Sequence, residues 1–188
     1  LEGVWGVGVS REGNGLLALL GADGGGRSTV LGSLAGLLPP SEGRVIFDGR
    51  DITGMPAEDI ARLGLSLVPG GHGVFPTLTV AENLRLACWM LRHDPRAAEE
   101  ARRDVIAMFP VLGQRQAQLA GDLSGGEQQQ LSLAMAFVTR PKLLCIDELS
   151  IGLAPTVVDR LVDNAREIHA HGTTVAAVEH SANVAPLL

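Results

Sequence analysis

Three groups of residues in this 188-residue chain have the types and spacing to do chemistry. In "GADGGGRST" (21–29), Gly21, Gly26 and Ser28 keep the spacing of the phosphate-cradling loop G-x-x-x-x-G-K-[ST], with Arg27 in the lysine slot. Such a loop turns backbone N–H groups and a helix N-terminus toward an anion, and a hydroxyl at Ser28 can ligate Mg²⁺. Taken alone, a tight strand-to-helix turn explains the same glycines. In "LLCIDE" (143–148), four apolar residues set Asp147 and Glu148 at the carboxyl end of a buried strand, where open α/β sheets bind ligands. There Asp147 can hold Mg²⁺, and Glu148 can orient and polarise a water for attack on a γ-phosphate. A solvated turn is the plain alternative for that acid pair. In "LSGGEQQQ" (123–130), Ser124 and Glu127 read as a helix N-cap with its capping box. The cap does not explain Gly125 and Gly126, because glycine costs about 1 kcal/mol relative to alanine inside a helix. The pair implies that another body approaches the backbone closely.

The elements that must position these groups follow from periodicity. "LLALL" (16–20) is a short apolar run ending at glycine, as a buried parallel strand should be. The glycine-rich loop follows, and "RSTVLGSLAGLL" carries helical spacing until Pro39 and Pro40. Strand, loop and helix are the setting that a phosphate loop needs. Asp48-Gly49 inside "GRVIFDGRDI" (43–52) signals a hairpin. "PAEDIARLG" is a short helix with Pro56 at its start and Gly64 past its end. "LSLV" (65–68) is another buried strand, stopped by Pro69 and the glycines at 70, 71 and 73. From Thr79 to about Arg140 the chain shows amphipathic helices and no convincing strand. "KLLCID" (142–147) and "TTVAAVEH" (173–180) return to strands, with a helix closed by Gly172 between them. Alternating strands and helices at both ends predict an α/β fold with a mainly parallel sheet flanking an inserted helical segment.

Composition narrows the function classes. Net charge is −6, from 15 basic and 21 acidic residues, and no basic run points to nucleic acid. No apolar run approaches the roughly 20 residues needed to cross a bilayer. Cys88 and Cys145 lie in apolar surroundings far apart in sequence, as buried thiols of a reducing compartment do. The chain opens on Leu1 with no signal peptide before the first strand pattern, so an N-terminally incomplete cytosolic domain is expected.

With all three groups in view, the chain resembles the ATP-binding cassette family, the ATPase subunits of ABC transporters. "GADGGGRST" is similar to the family's Walker A loop, "LLCIDE" to its Walker B strand and "LSGGEQQQ" to its signature motif. "SIGLAP" (150–155) resembles the D-loop, with Ala154 where the family usually has aspartate, and His180 in "VEHS" stands at the switch-histidine position. Order and spacing match over almost the whole chain. "VFPTLTVAENLRLA" and "LSIGLAPTVV" look most like the ATPases of branched-chain amino acid importers.

The resemblance implies a P-loop NTPase core over about 1–70 and 141–188 and a helical subdomain over about 71–140, in one cassette domain spanning 1–188. It implies head-to-tail pairing with a second cassette subunit, ATP and Mg²⁺ as ligands, and a transmembrane permease as partner. Membrane contact would run only through that permease, at the cytoplasmic face. Phosphate would be bound by Gly21, Ala22, Asp23, Gly24, Gly25, Gly26, Arg27, Ser28 and Thr29, with Ser28 and Asp147 at the metal. Glu148 would be the catalytic carboxylate and His180 a γ-phosphate contact, while Ser124, Gly125 and Gly126 would serve the partner's ATP. His72, His93, His169 and His171 read as ordinary core or surface histidines.

Three departures from the family's pattern bear on activity. Arg27 keeps the charge of the Walker A lysine in a bulkier, planar group, and the two are not interchangeable. Gly70 stands where the family has glutamine or glutamate after "VP". The aromatic residue that stacks on adenine belongs at or before the first residue here, missing or cut off, with Trp5 a candidate replacement. Two readings follow: an ATPase that powers a transporter, or a degenerate regulatory module that completes a partner's site with little hydrolysis of its own. A DNA-repair or chromosome-organising ATPase ranks below both, since the helical insertion is too short for their long coiled coils.

Overall fold

The computed structural model describes residues 16–20, 26–71, 73–148, 150 and 152–179. The sheet carrying the site is parallel throughout, in the order β1-β6-β5-β4, with β1 Leu16–Leu20, β4 Leu65–Val68, β5 Leu143–Asp147 and β6 Thr174–Glu179. Both faces are covered, as near-continuous apolar strands require. Alternation along the strands sorts their side chains. Leu65, Cys145, Ala176 and Val178 face Leu31 and Ala35 of α1 (Arg27–Leu34 and its cap), with Ile52 and with Ile60 of α2 (Ala57–Arg62). Val68, Leu144, Ile146, Val175 and Ala177 face the opposite core, where α6 (Gly125–Phe137) and α7 (Pro155–Ala170) pack. β2 (Ile46–Phe47) and β3 (Arg50–Asp51) form the expected hairpin, whose turn residues Asp48 and Gly49 take φ of 51° and 74°.

Helix α1 ends earlier than the prolines predicted. Gly36 adopts φ 72° and closes the helix after Leu34, leaving Leu37 and Leu38 outside it. In the middle of the chain, α3 (Val80–Ala87), α4 (Pro95–Met108), α5 (Pro110–Gln114) and α6 follow one another without a strand among the described residues. α3 starts on a capping box in which Thr79 and Glu82 satisfy each other's backbone N–H groups. α4 starts on Asp94, which accepts from the Ala97 N–H at 3.0 Å, with Pro95 at the first helical position.

Two loops of this helical part are strapped together by the main chain. Val80 and Ala81 donate to the carbonyls of Gln118 and Gln116, each at 3.0 Å, and Ala120 and Gly121 donate to Leu78 and Pro76 at 2.9 and 3.0 Å. The fully buried Asn83 fixes the first loop. Its amide accepts from Phe75 N–H and donates to the carbonyls of Phe75, Leu78 and Thr79.

Candidate functional site

A parallel sheet brings the carboxyl ends of its strands to one edge, so Leu20, Val68, Asp147 and Glu179 end on the same side. β5 reaches that edge as a fully buried run, Leu144, Cys145 and Ile146 each being 0% exposed, and it delivers Asp147 half-buried at its end. The next residue, Glu148, takes φ 58°, a left-handed conformation uncommon outside glycine, and its N–H donates to Val178 O at 3.0 Å. Strain of this kind collects where a side chain must be aimed, and here it turns Glu148 off the strand direction.

α1 begins beside that carboxylate. Its N-cap, Gly26, also lies in the left-handed region at φ 72°, and no acidic residue occupies the first turn to offset the helix's positive end. From that turn Ser28 donates its hydroxyl to Asp147 Oδ1 at 2.9 Å, joining residues 119 apart in sequence. A hydroxyl and a carboxylate oxygen side by side at the start of a helix are the hard donors that Mg²⁺ prefers, few in number as that ion allows. Gly70, just past β4, is the third member. A Cβ there would meet Asp147 Oδ2 at 3.4 Å and its Cγ at 3.6 Å, so any side chain at 70 would reach the same carboxylate.

Ser124 and Gly126 belong to a second cluster at the start of α6. Ser124 is the N-cap, and Glu127 returns its carboxylate to the Ser124 N–H and hydroxyl, each at 2.9 Å. Arg115 Nε meets the other Glu127 oxygen at 2.9 Å. Burial works to raise the Glu127 pKa, but the Ser124 N–H and hydroxyl and the Arg115 guanidinium together hold it below the usual carboxylate range. The close approach implied by the glycine pair is made at Gly126 by the chain itself: an added Cβ would fall under 3.0 Å from Val157 Cγ1, in the first turn of α7.

Of the residues singled out in the sequence, the described contacts thus unite Ser28 with Asp147, beside Gly70 and Glu148, and place Ser124 and Gly126 apart on α6. Arg27 and Thr29 lie in the first turn of α1, and Gly125 opens α6. Gly21, Ala22, Asp23, Gly24, Gly25, His180, His72 and Trp5 lie outside the described residues. His169 and His171 bond through Nδ1 to the carbonyls of Thr173 and Glu167 at the end of α7. Cys88 and Cys145 are buried and free. Sequence reading missed Arg115 and Val157. Neither carries a local signal, since each matters only through a residue brought to it by the fold.

A family model described as ABC transporter matches residues 6–150. The high-affinity branched-chain amino acid transport ATP-binding protein BraG of Pseudomonas aeruginosa is 37% identical over 170 residues, 90% of this chain and 72% of that protein. The Fe(3+) ions import ATP-binding protein FbpC of Streptomyces coelicolor is 38% identical over 176 residues, 93% of this chain, which spans about half (49%) of that protein's length. Among solved structures, a nucleotide-free ATP-binding cassette from an ABC transporter superposes with a TM-score of 0.77 at 25% identity, over 93% of this chain and 73% of the other. This chain is therefore a member of the ABC transporter family, as one of its ATP-binding components.

Proposed function

We propose that this chain binds ATP with Mg²⁺ and hydrolyses it to power a transporter, with import of branched-chain amino acids or a similar small polar solute as the task. The observation that carries the reading is the Ser28–Asp147 hydrogen bond, which joins the loop motif to the acidic strand end and sets a hydroxyl beside a carboxylate oxygen. The solute class rests on the likeness to BraG; the likeness to FbpC shows that the same cassette type serves iron import as well. The core covers about 1–70 and 141–188 and the helical subdomain about 71–140. The partners are a second cassette subunit and a permease, which holds the chain at the cytoplasmic face of the membrane. No helix among the described residues is long and apolar enough to cross a membrane itself.

In this mechanism Ser28 and Asp147 would hold the metal, which when bound with ATP supplies charge neutralisation on the phosphate oxygens. Gly21, Ala22, Asp23, Gly24, Gly25, Gly26, Arg27 and Thr29 bind the phosphates through main chain and side chains at the positive end of α1. Glu148, turned off the strand, accepts a hydrogen bond from the attacking water and orients it, and His180 contacts the γ-phosphate. Ser124, Gly125 and Gly126 act on the nucleotide held by the second subunit.

One observation favours a second reading, a regulatory cassette with little hydrolysis of its own. Gly70 sits against Asp147 without a side chain that could touch the metal or the water. ATP turnover of the protein as it stands, of Arg27→Lys, and of Arg27→Lys with Gly70→Gln separates the two. The 3.4 Å approach to Asp147 Oδ2 is ordinary contact for the Cβ that such a substitution adds. Turnover that rises through this series supports an ATPase weakened at two positions. Background rates in all three, with dimers present, would remove the enzyme reading.

A further inference from the structure

Both oxygens of Glu127 are engaged, and by different groups. Oε2 accepts from the Ser124 N–H and from the Ser124 hydroxyl, while Oε1 meets Arg115 Nε. Arg115 is itself held: its Nη1 donates to Gln118 Oε1 at 3.0 Å, and Gln118 Nε2 donates to Asp122 O at 2.9 Å, in the turn that leads into Ser124. The guanidinium is thereby fixed at both ends. Glu127 has a side chain only 18% exposed, so its charge is poorly screened by solvent.

A serine hydroxyl has one proton to donate, and here it goes to Glu127. A phosphate oxygen only accepts. For Ser124 to contact a nucleotide held by a second copy, its proton must turn from the carboxylate to the phosphate, leaving Glu127 beside an approaching polyanion. Two neighbouring anions repel unless a cation neutralises one of them, and Arg115 is the cation seated on Glu127.

We propose that Arg115 is a positioning residue of the composite nucleotide site: by holding the charge and orientation of Glu127, it frees the Ser124 hydroxyl to donate to a phosphate of ATP bound by a second copy of this chain. The proposal rests on the head-to-tail reading above, and its effect appears in trans. Nucleotide binding by a single copy does not involve Arg115; closure of two copies around the nucleotide does.

The test uses the full-length protein carrying Glu148→Gln, which keeps hydrolysis out of the readout. Two quantities are measured with MgATP: its affinity for dilute monomer, and the concentration giving half-maximal dimer formation by light scattering. Arg115→Ala is expected to leave the first within about twofold and to raise the second about tenfold. Arg115→Lys, which keeps the charge, recovers most of that shift and separates positioning from a folding defect. An Arg115→Ala variant that moves both quantities by one factor, or moves neither, overturns the proposal. If the Glu148→Gln parent binds MgATP but never pairs, the head-to-tail reading fails first and the role of Arg115 falls with it.

Discussion

Replacing Gly126 by alanine separates two reasons for a glycine at the second position of α6. A methyl there improves helix propensity by up to about 1 kcal/mol. It also lands under 3.0 Å from Val157 Cγ1, while Val157 Cβ and Cγ2 lie at 3.5 and 3.6 Å, so one methyl of the neighbour is in the way. Val157 is β-branched and sits in a helix, where its χ1 has one strongly preferred rotamer. Rotation gives little relief, and α6 and α7 must part instead. Overpacking of this kind costs roughly 1–3 kcal/mol. Setting about 2 against the propensity gain of about 1 gives a net loss near 1 kcal/mol, or a fall in Tm of about 2–4 °C for a domain of this size. Urea unfolding of Gly126→Ala, Val157→Ala and the double variant reads the coupling directly. Removing the Val157 methyls should restore the space, so the two changes should be non-additive by roughly 1–2 kcal/mol. A Gly126→Ala protein as stable as the parent, with no coupling to Val157, would refute the reasoning. A defect confined to nucleotide-driven pairing would return the glycine to the approach of a partner.

Ala154 caps α7 without a side-chain hydrogen bond, so Ala154→Asp is expected to add about 1 kcal/mol by accepting from a first-turn N–H; a thermal melt no higher than the parent's counts against it. Burial pushes the Cys145 thiol up to about 12, while the unfolded chain ionises near 9, so the unfolded state loses its proton first. Stability should therefore fall by up to about 1.4 kcal/mol per pH unit above about 9, and the fall should be absent from Cys145→Ala in urea midpoints taken between pH 8 and 10.

The parts legible in the sequence are those with a local cause. The strands at 16–20 and 65–68 appear at their expected bounds because a short apolar run ended by glycine or proline has few other solutions. The hairpin turn followed from Asp48-Gly49, whose left-handed conformations the type of turn demands. α1 was read too long because Gly36, which ended it, sits inside an apolar helical pattern, whereas the two prolines beyond it were conspicuous. At the candidate site, Ser28, Asp147 and Glu148 were singled out from the ends of elements, where chemistry in open sheets collects. That Ser28 touches Asp147 depends on β6 lying between β1 and β5, an order that no local pattern reveals. The same holds for Val157 and Arg115. A glycine at 126 announces that something comes close, but only the packing of α7 says what.

The strap between the loop at 76–81 and the loop at 116–121 has a mechanical consequence. One of these loops follows the turn at Gly70, beside Asp147, and the other runs into Ser124. Joined by four main-chain hydrogen bonds, with Asn83 fixing the first, they make a strap that ties the chain after β4 to the chain before α6. If the first loop moves, the second is expected to move with it, because main-chain hydrogen bonds rather than side chains join them. Glycine at position 70 leaves no side chain between Asp147 and the loop that follows β4.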